Sequence, residues 1–393
     1  MPTARRRIAL FTGNRAEYGM QFPILRAIDA DPRLDYQLLV SGAHLKDDFG
    51  KSVTEIENDG FKITRQIEMD TPGDDMFATA TAIGIGTTAT ARALTELAPD
   101  LVIVYADRFE SFAAMIASTH SGFPTAHVEG GDYTEGGALD DSVRHAMTKL
   151  AHLHFTTNDE ATERILGLGE EPWRVKTVGL PALDLIRDGL FTQPDEIYSK
   201  YGFDSSRPVI VFTQHSVATE YAESADQIRP ALQALKEVAE EVNAQVLITY
   251  PNDDAGGRLI MAEINKVPEQ IPGGFQITAS VGRPDYHGLL NIADVCVGNS
   301  SSGIKETAAF HCPSVNIGSR QQGRLRADNI IDVGYVKDEI KAAILKSLND
   351  EQFAERVRNA INPYGAGDAG HQIADFVAKV DLDTRLLQKR MTY

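Results

Sequence analysis

Short apolar runs alternate with longer amphipathic segments along most of this chain. The runs are rich in Val, Ile and Leu, which is typical of strands buried on both faces of a parallel sheet. They occupy residues 7–12, 35–40, 101–105, 123–128, 153–156 and 174–178, and then 208–213, 244–250, 294–297 and 314–317. The segments between them carry apolar residues at helical spacing, as in 22–28 and 225–242. This alternation predicts an α/β fold with parallel sheets.

The alternation stops and restarts once, near residues 179–186, which we interpret as a domain connector. A chain of 393 residues also exceeds what one ordinary hydrophobic core supports. We therefore predict two doubly wound, Rossmann-like domains that face each other across a cleft, with residues 1–180 in the first and 181–370 in the second. At residues 371–393 we predict a terminal helix that is rich in Asp, Lys and Arg.

Acidic side chains cluster after two strands of the first half. Asp107 follows the strand at 101–105, and the strand at 123–128 runs into a glycine-rich loop. The acids of that loop are Glu129, Asp132, Glu135 and Asp140. Because ligands in open α/β sheets bind at the carboxyl ends of strands, the cluster predicts an acid–base site. Asp140 and Asp141 would serve equally well as ordinary capping acids of a helix that begins near Asp141.

A serine-rich loop follows one strand of the second half. It contains Ser300, Ser301, Ser302 and Gly303, just before a helix predicted from about residue 304. Hydroxyls and backbone N–H groups at a helix N-terminus favour a phosphate group. Glu306, one turn inside the predicted helix, would reach a ribose diol. An ordinary polar N-cap remains the alternative.

Two further groups of the second half are candidates for the same site. His215 follows the strand at 208–213, and Arg320 supplies positive charge in an acidic protein. A solvated loop would account for Arg320 equally well.

Composition narrows the classes of ligand and location. The net charge of −18 argues against a nucleic-acid or membrane surface, so an anionic ligand needs a local cluster of cations and helix N-termini. The two cysteines, Cys296 and Cys312, lie in apolar sequence and predict buried free thiols in a reducing cytoplasm. We also expect a homo-oligomer, either a dimer or a tetramer.

Cofactor motifs are weak or missing in the sequence. Residues 84–89, GIGTTA, match a dinucleotide fingerprint, but they follow a stretch at 76–82 that looks helical instead of a strand. No P-loop motif occurs, and the ten histidines show no metal-ligand spacing. We therefore expect no metal and no cofactor.

Several motifs together resemble the hydrolysing UDP-N-acetylglucosamine 2-epimerases, bacterial enzymes that feed sialic and legionaminic acid synthesis. They are TGNRAEYG at 12–19, SGAH at 41–44, DR at 107–108, HVEGG at 127–131, DDSVRHA at 140–146, GNSSSG at 298–303, NIGSRQQGR at 316–324 and NPY at 362–364. The resemblance covers nearly the whole chain. It implies a GT-B fold in which the chain end, residues 371–393, packs back on the first domain.

The resemblance also implies roles for individual residues. Its catalytic carboxylates fall on Asp107, Glu129 and Asp140, and its diphosphate and uridine contacts on Arg15, His215, Ser301, Ser302, Glu306 and Arg320. We add His215 to the catalytic set, and His44, Arg144, Asn252, Ser300 and Gly303 to the substrate-binding set. The chain departs from the family pattern at Ala106, where the family usually has glycine. This difference puts the backbone conformation at Asp107 in question.

The implied reaction explains a cluster of three carboxylates. Departure of UDP from C1 gives that carbon oxocarbenium character, so a carboxylate can remove the C2 proton and leave 2-acetamidoglucal. Addition of water to C1 and of a proton to the opposite face of C2 then gives N-acetylmannosamine. The partners are thus a UDP-sugar substrate and the product UDP, and no redox cofactor is needed.

Four alternatives stay open from the sequence. Legionaminic-type relatives use UDP-2,4-diacetamido-2,4,6-trideoxyglucose with the same motifs, and a non-hydrolysing epimerase would add UDP back. A GT-B glycosyltransferase would need an acceptor site that no motif indicates. A non-catalytic nucleotide-sugar sensor would have no use for the acid cluster.

Overall fold

The computed structural model describes residues 5–45, 53–69, 71, 76–133, 139–251, 255–267 and 275–393. The chain divides into two compact units. Unit 1 comprises Met1–Asp132, Leu139–Asp184 and Gly367–Tyr393, and unit 2 comprises Tyr133–Ala138 and Leu185–Ala366.

The centre of unit 1 is a parallel sheet. Its seven described strands are β1 (Arg6–Thr12), β2 (Leu34–Ser41), β3 (Ile63–Ile67), β4 (Leu101–Tyr105), β5 (Thr125–Val128), β6 (Leu153–Thr156) and β7 (Val175–Thr177). They lie in the order β3-β2-β1-β4-β5-β6-β7. The chain first builds outward from β1 through β2 to β3 and then crosses to β4 on the other side of β1. The strand order therefore reverses between β1 and β4, which is where open α/β sheets bind ligands.

Helices cover both faces of the unit 1 sheet. They are α1 (Arg15–Ala30), α2 (Val53–Asn58), α3 (Met76–Leu97), α4 (Phe109–His120), α5 (Leu139–Leu150) and α6 (Asp159–Gly167), with α15 (Ala369–Lys379) and α16 (Thr384–Leu387) from the chain end. One core contains Ile24 of α1 and Ile373 of α15, and the core on the other face contains Leu94 of α3, Met115 of α4 and Met147 of α5. The chain end thus completes the core of unit 1.

Unit 2 repeats the architecture. Its described strands are β8 (Val209–Thr213), β9 (Gln245–Thr249), β10 (Phe275–Thr278), β11 (Val295–Gly298), β12 (Ser314–Ile317) and β13 (Ile330–Val333), in the order β10-β9-β8-β11-β12-β13. Its helices are α8 (Pro194–Tyr201), α9 (Ser224–Val242), α10 (Gly257–Ile264), α11 (Arg283–Ile292), α12 (Ser302–Lys305), α13 (Lys337–Asn349) and α14 (Glu351–Arg358). The strand order reverses between β8 and β11, so these two strand ends mark the equivalent ligand position.

The predicted connector at 179–186 is partly helical. Helix α7 (Ala182–Arg187) occupies its second half, and the boundary between the units falls inside this helix, between Asp184 and Leu185.

Two other sequence interpretations are decided by the structure. The GIGTTA segment lies in the middle of α3, so it forms no phosphate-binding turn and the dinucleotide motif is excluded. Strands β3, β10 and β13 were missed by the pattern analysis, and all three are outermost in their sheets. Their residues are mostly half-buried, so they carry no continuous apolar run. None of the helices in the described part of the chain is long and apolar enough to cross a membrane.

Candidate functional site

Unit 1 places its predicted acids at the edge where the strand order reverses. Asp107 follows β4 and Glu129 follows β5, and these strands are neighbours in parallel register, with Tyr105 opposite Val128. Glu129 is buried and Asp107 is half-buried. Both turns are tight, because Ala106 has φ +55° and Glu129 has φ +64°, in the left-handed region that residues with a Cβ rarely adopt.

Arg144 joins these two strand ends. It lies on α5, is buried, and donates from Nη1 to the Glu129 carbonyl at 2.7 Å and from Nη2 to the Asp107 carboxylate. Burial by itself lowers the pKa of the Arg144 guanidinium, but the carboxylates of Asp107 and Glu129 outweigh it and hold the pKa above its usual value. The cation is therefore permanent, and it binds the Asp107 carboxylate and the backbone carbonyl of Glu129.

The third predicted carboxylate, Asp140, occupies the first turn of α5 and is exposed. Burial lowers the pKa of Arg108, the residue after Asp107, but the charges of Glu110 and then of Asp140 outweigh it and hold that pKa above its usual value. Asp140 and Arg144 are one helical turn apart, so α5 carries both the predicted third acid and the cation that holds the first. The loop acid Glu135 lies outside the described residues.

Arg15 and His44 lie after β1 and β2 of the same sheet. Arg15 opens α1, is half-exposed, and pairs with Glu55 at 2.8 Å between Nε and Oε2. His44 is fully buried, and its Nε2 lies 3.1 Å from the Thr12 hydroxyl. Burial lowers the pKa of His44 to about 4, so its imidazole is neutral near pH 7. Glu55 and Thr12, the partners in these two contacts, are not members of the acid cluster.

In unit 2, His215 and the serine loop meet at the strand-order reversal. The backbone N–H of His215 donates to the Asn299 side chain at 2.6 Å, and Asn299 Nδ2 donates back to the His215 carbonyl at 2.9 Å. Gly298 has φ +127°, and a Cβ there would lie 1.9 Å from the Thr213 carbonyl oxygen, so only glycine permits this close approach. Burial, followed by the charge of Arg320, lowers the pKa of His215 to about 3.

The serine loop is internally bonded. The Ser300 and Ser302 hydroxyls lie 2.9 Å apart, and the Ser302 hydroxyl also lies 2.8 Å from the hydroxyl of Tyr286 on α11. Gly303 is buried beside Ser314 of β12, and Ser301 precedes α12. Tyr286 could not be predicted as part of this loop, because it lies sixteen residues before Ser302 in a segment without a motif.

The helix predicted after the serine loop is much shorter than expected. Helix α12 ends at Lys305, and Glu306 is the residue that caps it before a 3-10 turn, so the prediction that Glu306 lies inside a helix is wrong. The buried Glu306 carboxylate lies 3.0 Å from Nε2 of the buried His287. A four-residue helix has a small dipole, so the loop's hydroxyls and nearby cations must provide most of any anion stabilisation.

Arg320 lies against the serine loop from the neighbouring strand end. It follows β12, and its Nη1 donates to the Asn299 carbonyl at 3.2 Å, which Gln321 also contacts at 2.8 Å. The predicted substrate residue Asn252 lies outside the described residues. Within the described ranges, no group of three or more His, Cys, Asp or Glu is arranged to hold a metal ion.

Comparison with known proteins identifies the family. The sequence model of the family described as UDP-N-acetylglucosamine 2-epimerase matches residues 26–378 of this chain. The chain belongs to this family. A relative from Legionella pneumophila, named UDP-N,N'-diacetylbacillosamine 2-epimerase (hydrolyzing), is 32% identical over 388 residues, which is 99% of this chain and 100% of the relative. The UDP-N-acetylglucosamine 2-epimerase of Neisseria meningitidis is 30% identical and covers 88% of this chain and 89% of its own length.

Solved structures of family members share the architecture. The crystal structure of a Neisseria meningitidis UDP-GlcNAc 2-epimerase bound to UDP-GlcNAc matches with a TM-score of 0.81 at 16% identity, covering 95% of this chain and 100% of that chain. The predicted GT-B fold, with two Rossmann-like parallel sheets, is confirmed, as is the family to which the motifs pointed.

Proposed function

We propose that this protein is a hydrolysing 2-epimerase that converts a UDP-activated 2-acetamido sugar and water into UDP and the free C2 epimer. The observation that carries the proposal is the contact of Arg144 with both Asp107 and the end of β5 at Glu129. A buried cation that binds one acid and the backbone of a second at the ligand edge of a parallel sheet is suited to directed proton transfer.

We assign the proton transfers to unit 1 and the diphosphate to unit 2. Removal of the C2 proton and loss of UDP produce 2-acetamidoglucal, and hydration then requires a proton on the opposite face of C2. Two transfers at different positions need separate acids, which Asp107, Glu129 and Asp140 supply. In unit 2, the Ser301 and Ser302 hydroxyls and the Arg320 guanidinium would stabilise the leaving diphosphate. His215 would contribute as a neutral imidazole.

For the sugar, we propose UDP-N,N'-diacetylbacillosamine, which is UDP-2,4-diacetamido-2,4,6-trideoxyglucose. The support is the full-length match to the Legionella relative that carries this name. UDP-N-acetylglucosamine is the second candidate, with N-acetylmannosamine as its product, because the similarly distant Neisseria relative is named for it.

The direct test is incubation with each of the two UDP-sugars in deuterium oxide, with UDP release and the sugar product followed by proton NMR. We expect UDP, a free C2-epimerised sugar and deuterium at C2. Glu129→Gln keeps the shape but removes the charge, and we expect it to release UDP slowly and to accumulate the glycal intermediate. Regenerated UDP-sugar without free sugar would refute hydrolysis, and absence of turnover with both sugars would refute the proposal.

Nucleotide binding has its own test. Saturating UDP should stabilise the protein by about 2.7 kcal/mol at a hundredfold excess over its dissociation constant. The double variant Ser301→Ala and Ser302→Ala should lose most of this shift. Ser205→Ala, at an exposed serine of unit 2, is the matched control and should keep it. An unchanged shift in the double variant would place the diphosphate elsewhere.

A further inference from the structure

The fully buried His127 is a titratable group that the proposed chemistry does not use. It lies on β5, two residues before Glu129, and its ring contacts two other elements. Nε2 lies 2.7 Å from the Ala106 carbonyl, at the turn that ends β4, and Nδ1 lies 3.1 Å from the Thr148 hydroxyl on α5. One imidazole thus joins the three elements that carry Asp107, Glu129 and Asp140.

The partners of the ring determine its tautomer. A carbonyl oxygen can only accept a hydrogen bond, so Nε2 carries the proton and donates to Ala106. In the neutral ring Nδ1 is then the acceptor, and the Thr148 hydroxyl donates to it. Burial lowers the pKa of His127 to about 3, so the ring stays neutral at the pH of the cell. A neutral ring with both nitrogens bonded is suited to holding a geometry.

The carbonyl that His127 holds belongs to a strained turn. Ala106 and Glu129 both have positive φ, and each such residue with a Cβ costs on the order of 1–2 kcal/mol. Each turn persists because both of its backbone groups are bonded. Ala106 donates to the Val128 carbonyl at 3.0 Å and accepts from His127, while Glu129 donates to the Phe155 carbonyl at 2.9 Å and accepts from Arg144. His127 therefore donates to the carbonyl of the turn before Asp107, just as Arg144 donates to the carbonyl of the Glu129 turn.

The backbone at Gly130 lies close to the His127 ring. A Cβ at Gly130 would lie 2.9 Å from both Nδ1 of His127 and the Thr148 hydroxyl oxygen. A side chain at position 130 would therefore displace the ring or the Thr148 hydroxyl. Rotation of the ring away from Ala106 would remove the hydrogen bond that the Ala106 carbonyl accepts at the turn before Asp107.

We propose that His127, bonded through Nε2 to the Ala106 carbonyl and at Nδ1 to the Thr148 hydroxyl, is the positioning residue that fixes the turns presenting Asp107 and Glu129 relative to α5. The proposal rests on the proposed function for its catalytic consequence, because it acts through those acids. It assigns His127 no proton transfer.

Thr148→Val provides the sharpest test, because it keeps the shape and removes only the hydroxyl. Nδ1 then loses its donor while Nε2–H keeps its bond to Ala106, so the ring is held at one edge only and can tilt. We expect kcat to fall about 10- to 100-fold through misplacement of the acids. KM should stay near the wild-type value, and both limbs of the pH–rate profile should keep their positions.

The matched control is Thr119→Val. Thr119 lies on α4 and its hydroxyl donates to the Leu150 carbonyl at the end of α5, at 3.3 Å, so this change also removes a hydroxyl beside α5 but leaves His127 untouched. We expect a similar small change in stability and a wild-type kcat. Equal loss of kcat in both valine variants would reduce Thr148 to a structural residue and overturn the proposal.

Conservative replacement separates positioning from catalysis. The amide of His127→Gln can still donate to the Ala106 carbonyl, whereas His127→Leu keeps volume without a donor. We expect the glutamine variant to recover activity at least tenfold over the leucine variant. Equal inactivity of the two, or a displaced pH limb in Thr148→Val, would make His127 an acid–base group.

A measurement by NMR without substrate tests the positioning role of His127 separately from the proposed function. In protein labelled with nitrogen-15 histidine, the resonance lost in His127→Gln should show a proton on Nε2 and no titration between pH 5 and pH 8, consistent with the lowered pKa. A proton on Nδ1, or titration in that range, would refute the positioning role even in an active enzyme. An enzyme that turns over neither UDP-sugar, yet shows the expected resonance, would refute only the proposed function.

Discussion

Removal of the Arg144 guanidinium is the perturbation that tests the acid cluster most directly. The side chains of Arg144 and Asp107 are only 5% and 13% exposed, so their ion pair is largely shielded from water. Arg144→Met keeps the length of the side chain but leaves the Asp107 carboxylate without this cation and the Glu129 carbonyl without this donor. Loss of one partner of a buried ion pair costs about 3–5 kcal/mol. Because Asp107 retains some exposure, we expect about 3 kcal/mol.

The matched control is an exposed pair in the same unit. Arg65 and Glu96 are bonded at 2.7 Å, but their side chains are 45% and 60% exposed. Solvent screens such a pair, so Arg65→Met should cost less than about 1 kcal/mol. The two substitutions are chemically identical, and they differ in burial and in the bond from Arg144 to the Glu129 carbonyl.

Urea unfolding followed by tryptophan fluorescence is the assay. Trp173 is the only tryptophan in the sequence and belongs to unit 1, where Arg174 and Arg385 stack over its ring at 4.2 and 4.5 Å. Its emission therefore reports the unit that contains Arg144. Addition of Asp107→Asn to Arg144→Met should return part of the lost stability, with a coupling energy of about 1–3 kcal/mol.

Two results would refute the reasoning. If Arg144→Met lowers the free energy of unfolding by no more than Arg65→Met, the guanidinium does not hold the acid-bearing turns. If the double variant shows simple additivity, the stabilising partner of Arg144 is not Asp107.

Three further predictions concern unit 1. Ala106→Gly should raise the stability by about 0.5 kcal/mol, because relief of the left-handed φ exceeds the entropic cost of glycine, and a lower unfolding midpoint would contradict this. Lys389→Ala should cost about 2 kcal/mol, since Nζ binds the Lys149 and Ala151 carbonyls at 2.6 and 2.8 Å at the end of α5, while the exposed Lys379→Ala should cost less than about 0.5 kcal/mol. Burial raises the pKa of Glu17 to about 8 from 4.5, so the folded state retains a proton that the unfolded chain releases, and stability should fall as pH rises from about 4.5 to about 8. Glu17→Gln should flatten that slope in urea titrations at several pH values, and an unchanged slope would refute the assignment to Glu17.

Local sequence pattern was sufficient for the inner strands of both sheets. Strands such as β4 and β8 are buried along their whole length, so hydrophobicity alone identifies them. The outermost strands β3, β10 and β13 were not predicted, because one side of each lacks a neighbouring strand and their side chains are half-exposed. The length of helix α12 was overestimated because the contact that Glu306 makes with His287, at the point where the helix ends, joins segments nineteen residues apart.

Local sequence was enough to place the candidate site residues at strand ends. Asp107, Glu129, His215 and the serine loop all follow buried apolar runs, and strand ends are where α/β folds bind ligands. This much follows from local composition, because the end of an apolar run and the polar residues after it are neighbours in the chain.

The tertiary structure alone decided which of these residues touch. Arg144 meets Asp107 across 37 positions, and His127 meets Thr148 across 21, only because β4 and β5 are adjacent and α5 packs beside them. The left-handed backbone at Ala106 has the same origin, since alanine has no local preference for it and the bonds from His127 and to Val128 impose it. Local pattern encodes where each element begins and ends, whereas the order of strands in the sheet, and hence the geometry of the acids, is set by packing between segments that are distant in the sequence.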